Sequence, residues 1–180
     1  MSKMIFLKSS DISFRKIMEK DLKILCDWRN SENVREYNHQ FIFLNMYKQM
    51  EWYETINKQN SDRLMFMIIY KKKIPVGVCG LINLDLKNRN AEIAIIIGEN
   101  KMRGLGIGLI SLKFLMNYGF KKLGLHRIGA EIFQFNERSV HVFKKAGFEI
   151  EATLRQSLWR KGRWWDTYVL STVKKNYEAL

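Results

Sequence analysis

Apolar positions in this chain change period along its length, and the changes mark out its elements. Ile12 and Phe14 mark a first strand, ended by a polar break. Leu22, Leu25 and Trp28 then recur at helical spacing behind Asp21, a residue suited to a helix N-terminus. After the broken segment Trp28 to Tyr37, Met46, Met50, Tyr53 and Ile56 predict a second helix near Leu44 to Asn57, its apolar face packed as core. From Leu64 the period shortens. Met65 to Tyr70 and Val76 to Ile82 read as strands around a turn at Lys71 to Pro75, followed by a polar turn from Asn83 to Asn90. Ile93, Ile95, Ile96 and Ile97, closed by Gly98, read as a buried third strand of this group. Leu109, Leu112, Leu115 and Met116 return to helical spacing, and Arg127 to Phe133 is the next strand. Asn136 or Ser139 opens a short helix that turns Val140 and Phe143 inward and closes with Gly147 at C′. Glu149 to Leu158 and Trp164 to Val173 form a last pair around the turn Arg160 to Arg163.

The order βααβββαβαββ predicts an α+β fold in which three strands run as an antiparallel meander. The strand after the long helix lies parallel to the third through a helical crossover, so the sheet is mixed. No repeat, low-complexity tract or linker separates the pieces, and 1–180 is read as a single domain. Hydrophobic residues at 47% and aromatics at 13% supply a sizeable core. No apolar run approaches the ~20 residues of a membrane span, and the opening M-S-K-M-I-F-L-K lacks the apolar region and cleavage site of a signal peptide. Cys26 and Cys79 form no C-x-x-C and have no histidine cluster nearby, which fits a cytoplasmic protein with two reduced thiols and no metal site. The net charge of +13, from 31 Lys+Arg against 18 Asp+Glu, favours anionic partners. Yet the basic residues are dispersed, and the longest run is Lys71-Lys72-Lys73 beside a turn. A solvated basic surface accounts for them better than a nucleic-acid stripe, and a non-catalytic RNA- or ribosome-binding module stands as the alternative of another class.

One stretch carries chemistry. Between the isoleucine strand and its helix lies Arg103-Gly104-Leu105-Gly106-Ile107-Gly108. Alternate glycines let backbone N–H groups converge, and a helix N-terminus behind them adds orphan donors and about half a positive charge. That arrangement suits a pyrophosphate. The dinucleotide pattern G-x-G-x-x-G fails at Leu109, and no Lys-Ser or Lys-Thr follows as a P-loop requires. The remaining pattern, R-x-x-G-x-G between strand and helix, resembles the acetyl-CoA loop of the GNAT superfamily of acyl-CoA N-acyltransferases.

One strand later, N-E-R-S-V-H-V-F-K-K-A-G-F is similar to that superfamily's second motif. The opening F-R-K-I-M-E-K-D-L and the tail T-L-R-Q-S-L-W-R-K-G-R-W-W-D resemble its branch of ribosomal-protein-alanine and spermidine acetyltransferases. The resemblance implies one N-acetyltransferase domain whose sheet splays at the central parallel pair near Ile97-Gly98. It implies that pantetheine runs along Ile95, Ile96 and Ile97, and that pyrophosphate binds Arg103 to Gly108 with charge added by the Arg103 side chain. Asn136 contacts the cosubstrate in this reading, and Phe143 packs near the thioester. Relatives often carry a tyrosine acid where this chain has Phe143, so Ser139, a water or an unprotonated thiolate takes that part. Glu92 matches a position used as general base. Asp166 matches a recurrent acidic position that either binds the acceptor's ammonium or anchors the Arg160 to Arg163 turn.

For the acceptor, W-R-N-S-E-N-V-R-E-Y and E-W-Y resemble enzymes that acetylate nucleotide-linked amino sugars, which places Trp28, Arg29 and Asn30 at the acceptor. Protein N-terminal acetyltransferases are the alternative acceptor class, and a polyamine suits a strongly basic surface less well. A homodimer through an edge strand or the tail fits this reading.

Overall fold

The computed structural model describes residues 8–178. Residues 1–7, most of the stretch read as no signal peptide, lie outside it, as do the last two residues of the expected 1–180 domain. Seven strands form one sheet: β1 Ile12–Lys16, β2 Leu64–Tyr70, β3 Ile74–Asp85, β4 Asn90–Ile97, β5 Arg127–Phe133, β6 Glu149–Arg160 and β7 Arg163–Val173. Their spatial order is β1-β2-β3-β4-β5-β7-β6, antiparallel everywhere except between β4 and β5. Helices α1 Leu22–Asn30, α2 Glu32–Arg35 and α3 Met46–Asn57 come from the β1–β2 connection. Helix α4 Ile107–Asn117 crosses from β4 to β5, α5 Glu137–Lys145 links β5 to β6, and α6 Lys174–Glu178 follows β7.

Two apolar clusters fasten the layers. Alternate residues of the central strands, among them Ile68, Leu81, Ile93 and Ile128, point toward Leu112, Leu115 and Met116 of α4 and Phe143 of α5. The intervening residues Met67, Ile69, Val78 and Ile96 meet Leu25 and Trp28 of α1, with Trp52, Tyr53 and Ile56 of α3. Period-2 strands thus present one face to each helical layer.

The expected α+β order holds, with differences at element ends. β3 runs on into the predicted polar turn, to Asp85, and Lys71 to Lys73, the first two at positive φ, close the β2–β3 hairpin. Asn136 caps α5 by accepting from the Ser139 N–H at 3.2 Å, and Gly147 follows the helix at φ 91°. Asp21 does not cap α1 with its side chain; its carboxylate instead takes Arg15 at 2.6 Å and the Met18 N–H at 2.8 Å. In α3 the predicted apolar face holds at Tyr53 and Ile56 and fails at its first turn. Met46 is 46% exposed while Gln49 is fully buried, because Gln49 accepts from Arg29.

Candidate active site

Gly106, at φ 88°, caps α4 in the left-handed region, and Gly104 adopts φ 83° two residues earlier. An L side chain is strained at such angles, so the loop conformation selects glycine. The first intrahelical bond runs from the Ile110 N–H to the Gly106 carbonyl at 3.1 Å, leaving the amides of Ile107, Gly108 and Leu109 without helical acceptors. These donors open onto the loop, the arrangement an anionic pyrophosphate requires.

Arg103 corrects the sequence expectation. Its side chain is spent on the end of β4 and on α2, donating to the Ile97 carbonyl at 3.1 Å and the Asn33 carbonyl at 3.4 Å. The carbonyl at a frayed strand end lacks a ladder partner, and the guanidinium supplies one. Burial, with the nearby charge of Arg138, pushes the Arg103 guanidinium below its ordinary value.

The sheet opens beside this loop. β4 and β5 pair only through Asn90–Arg127, Ala91–Ile128 and Glu92–Gly129. The splay therefore begins just after Glu92, five residues earlier than the expected Ile97-Gly98. Ile93 to Ile97 keep their partners on β3 and present to the gap a backbone edge that no strand pairs, its Ile97 carbonyl taken by Arg103. Ile95 and Ile97 lean on the α4 cluster and Ile96 on the α1 cluster, all half-buried. An extended ligand with amides of its own fits such an edge as an added strand would.

At the point of divergence lies a cleft of about 110 Å³ whose lining includes Glu92, Arg127, Gly129 and Glu131. Arg127 is committed to the Glu151 carboxylate and, at 2.7 Å, to the Ser171 hydroxyl. That guanidinium holds the Glu151 carboxyl at about 2 through its hydrogen bonds. Glu92 and Glu131 have no ion-pair partner among the described residues. Glu131 lies on the same strand face as Gly129, the register partner of Glu92, so the two carboxylates flank the opening from opposite strands. Sequence reading missed Glu131, although a lone carboxylate in the apolar run R-I-G-A-E-I-F was the available signal.

Along the same face, Phe133 stacks edge-on with His39 at 4.6 Å, and Phe135 meets Tyr37 at 5.6 Å and Trp165 at 5.0 Å. Arg163 lies 3.4 Å above the Trp165 ring, Arg160 4.2 Å above Phe41, and Arg35 4.1 Å above Phe43. Residues 36–45 and the β6–β7 hairpin tip therefore form one cationic, aromatic rim, joined by the Lys161–Glu36 ion pair and by Arg160 donating to the Asn38 carbonyl.

The W-R-N triplet holds this rim and does not line it. Trp28 is 6% exposed and donates its indole N–H to Glu99 at 3.0 Å. Arg29 donates to Gln40 and Gln49. Asn30 clasps Leu44 in both directions, amide to carbonyl and N–H to side-chain oxygen, each at 2.8 Å. Asp166 accepts from the Gln156 N–H at 2.9 Å, where β6 bulges and Gln156 adopts φ 49°. It anchors that bulge and not the 160–163 turn. Phe143 is 3% exposed and packs edge-on against Phe148 at 5.0 Å, inside the core and not at an open thioester site. Ser139, half-buried in the first turn of α5, has no side-chain partner among the described residues.

A splayed parallel pair beside a glycine-gated helix N-terminus is the acyl-CoA site of one fold class, and sequence comparison agrees. The family model of the Acetyltransferase (GNAT) domain matches residues 11–149, and the chain belongs to that family. The uncharacterized N-acetyltransferase YoaA of Bacillus subtilis (strain 168) is 32% identical, with 93% of this chain and 96% of the relative covered. The spermidine N(1)-acetyltransferase of Vibrio cholerae serotype O1 is 24% identical over 94% of this chain and 96% of its own. The crystal structure of spermidine N-acetyltransferase from Vibrio cholerae in complex with CoA and spermine superposes with a TM-score of 0.88 at 24% identity, covering 94% of this chain and 99% of that one. The protein is an N-acetyltransferase with acetyl-CoA as cosubstrate, which supplies the activated acyl group. Among the described residues no cluster could hold a metal ion, and no helix is long and apolar enough to cross a membrane.

Proposed function

We propose that the chain acetylates a primary amine on an acceptor that carries negative charge beyond the amine, a nucleotide-linked amino sugar being the preferred class. The observation that carries this reading is the polarity gradient along β5. The unpaired carboxylates Glu92 and Glu131 stand at the cleft, whereas Arg35, Arg160 and Arg163 stand on aromatic rings at the rim. An ammonium fits the first zone and phosphate oxygens the second. Aromatic faces between them suit a sugar or base.

In this reading Glu92 accepts the proton that the acceptor's ammonium must lose, since an ammonium has no lone pair with which to attack. Glu131 orients the same nitrogen. Unpaired N–H groups of the Ile95 to Ile97 edge receive charge developing on the carbonyl oxygen. As the new C–N bond forms and the C–S bond breaks, the nitrogen sheds its second proton and the sulfur gains one, with the Ser139 hydroxyl as the relay between them, because Phe143 has no proton to give. Asn136 keeps its amide N–H₂ for the cosubstrate while its oxygen caps α5. We read residues 1–180 as one such domain in the cytoplasm, consistent with free, buried Cys26 and Cys79. A second copy would add at the exposed edge of β6.

A polyamine acceptor is the second reading, favoured by the relatives that act on spermidine. The cleft carboxylates suit it, but a rim of arginines repels a polycation. The test is thiol release from acetyl-CoA with nucleotide-linked amino sugars, spermidine, and Ala- or Ser-starting peptides. Turnover with the first class alone supports the proposal. Turnover with spermidine or peptide alone overturns the acceptor assignment and leaves the acetyltransferase chemistry standing.

A further inference from the structure

The glycine loop binds an anion, yet its own arginine is occupied elsewhere. We infer that Arg138, in the first turn of α5, supplies the side-chain charge for the pyrophosphate of acetyl-CoA, and that Arg103 is a brace between the end of β4 and α2.

Two glycines locate Arg138. A Cβ on Gly108 would stand 3.6 Å from Val142, and a Cβ on Gly104 would stand 3.2 Å from the Nη2 of Arg138. Arg138 and Val142 are one helical turn apart, so a single face of α5 lies along the loop from Gly104 to Gly108. Val142 packs on the helix end of the loop, where the orphan amides begin, and the Arg138 guanidinium reaches the Gly104 end that those amides face. Arg138 is exposed and has neither a carboxylate nor a hydrogen-bond partner among the described residues. A like charge, Arg103, stands near enough to feel it: burial and then the Arg138 charge push the Arg103 guanidinium down. Two cations left facing each other in this way are stabilised by an anion between Arg138 and the loop amides. Arg103 is not free to supply that contact, since its donors are aimed at the Ile97 and Asn33 carbonyls. Asn33 belongs to the helix that leads into the rim segment, so Arg103 ties the cosubstrate loop to the acceptor side.

The inference rests on acetyl-CoA as cosubstrate and not on the acceptor. It is tested by calorimetric Kd values for CoA, for dephospho-CoA and for S-acetyl-pantetheine, with melting temperatures alongside. Arg138→Gln is expected to weaken both CoA and dephospho-CoA by about tenfold, to flatten the salt dependence of binding, and to leave S-acetyl-pantetheine and the melting temperature unchanged. Arg103→Gln is expected to lower the melting temperature by several degrees while changing the Kd of CoA less than threefold. A loss under threefold for Arg138→Gln overturns the assignment. A loss seen with CoA but not with dephospho-CoA moves the contact to the 3′-phosphate and overturns it as stated. Tenfold weaker CoA binding by Arg103→Gln at an unchanged melting temperature returns the phosphate charge to Arg103.

Discussion

Trp28 lies across Gly98 so closely that a Cβ on the glycine would overlap the indole ring, while the indole N–H donates to Glu99 at 3.0 Å. The ring fastens α1 to the outer end of the splayed strand. Gly98→Ala has no room for its methyl and should cost about 1–3 kcal/mol. For a chain of this size that lowers the melting temperature by roughly 2–4 °C per kcal/mol, read by calorimetry. Trp28→Phe keeps most of the packing, loses the hydrogen bond, and should cost about 1 kcal/mol.

The pair Arg15–Asp21 gives the fold an acid sensitivity. Burial alone would raise the Asp21 carboxyl, but the Arg15 hydrogen bond, the Met18 N–H and nearby positive charge together hold it below its ordinary value. A carboxyl depressed in the folded state contributes stability that is fully present above its unfolded value, about 3.9. That stability is lost as pH falls through the folded value. Asp21→Asn should therefore be less stable than the parent near neutrality by about 2 kcal/mol, and urea midpoints of the two should converge below about pH 4. A constant gap down to pH 2 would contradict the linkage.

Glu92 and Glu131 should separate kinetically. Glu92→Gln removes the base and should lower kcat/KM by about 10²-fold or more. Glu131→Gln should raise acceptor KM by about tenfold with a smaller change in kcat. Full activity in Glu92→Gln would exclude it as the base.

Asn30→Ala releases both bonds to Leu44 and so loosens the rim without touching the glycine loop. Acceptor KM should rise several-fold and stability should fall by about 1–3 kcal/mol, while CoA affinity stays at the parent value. A matching loss of CoA affinity would show that the two regions are not separable.

Cys79 is fully buried, and burial pushes its thiol far above the ordinary range. A thiol so placed is inert. Alkylation in native buffer should leave Cys79 unmodified by peptide mass analysis, and unfolding should expose it.

Much of the architecture was legible because β-branched runs and glycine punctuation are local signals. The α5 cap at Asn136, its Gly147 stop and the β5 bounds follow from residues within a few positions of each other. What escaped depended on contacts distant in sequence. Gln49 is buried because Arg29, twenty residues away, needs an acceptor, so a polar residue joins Tyr53 and Ile56 on the inner side of α3 while Met46 is left outside. Phe143 occupies a motif position, but Phe148 and the core hold it. Arg103 also looks like a phosphate ligand until Asn33, seventy residues earlier, is brought beneath it. Glu131 stands out in the sequence as a lone carboxylate in an apolar run, but its partnership with Glu92 needed β5 placed next to β4.

Three residue pairs are a narrow spine for a seven-stranded sheet. The leaves β1–β4 and β5–β7 are each held by antiparallel ladders. Past Glu92 no ladder pairs β4 with β5 among the described residues, and side chains of the α4 layer and the rim contacts bridge the two leaves. The molecule is therefore bound like an open book, and the line along which it can flex is the gap proposed for the cosubstrate. Cosubstrate amides pressed into the gutter would stitch the pages together. Amide hydrogen exchange should record this as protection gained along Ile93 to Ile97, with the outer strands unchanged.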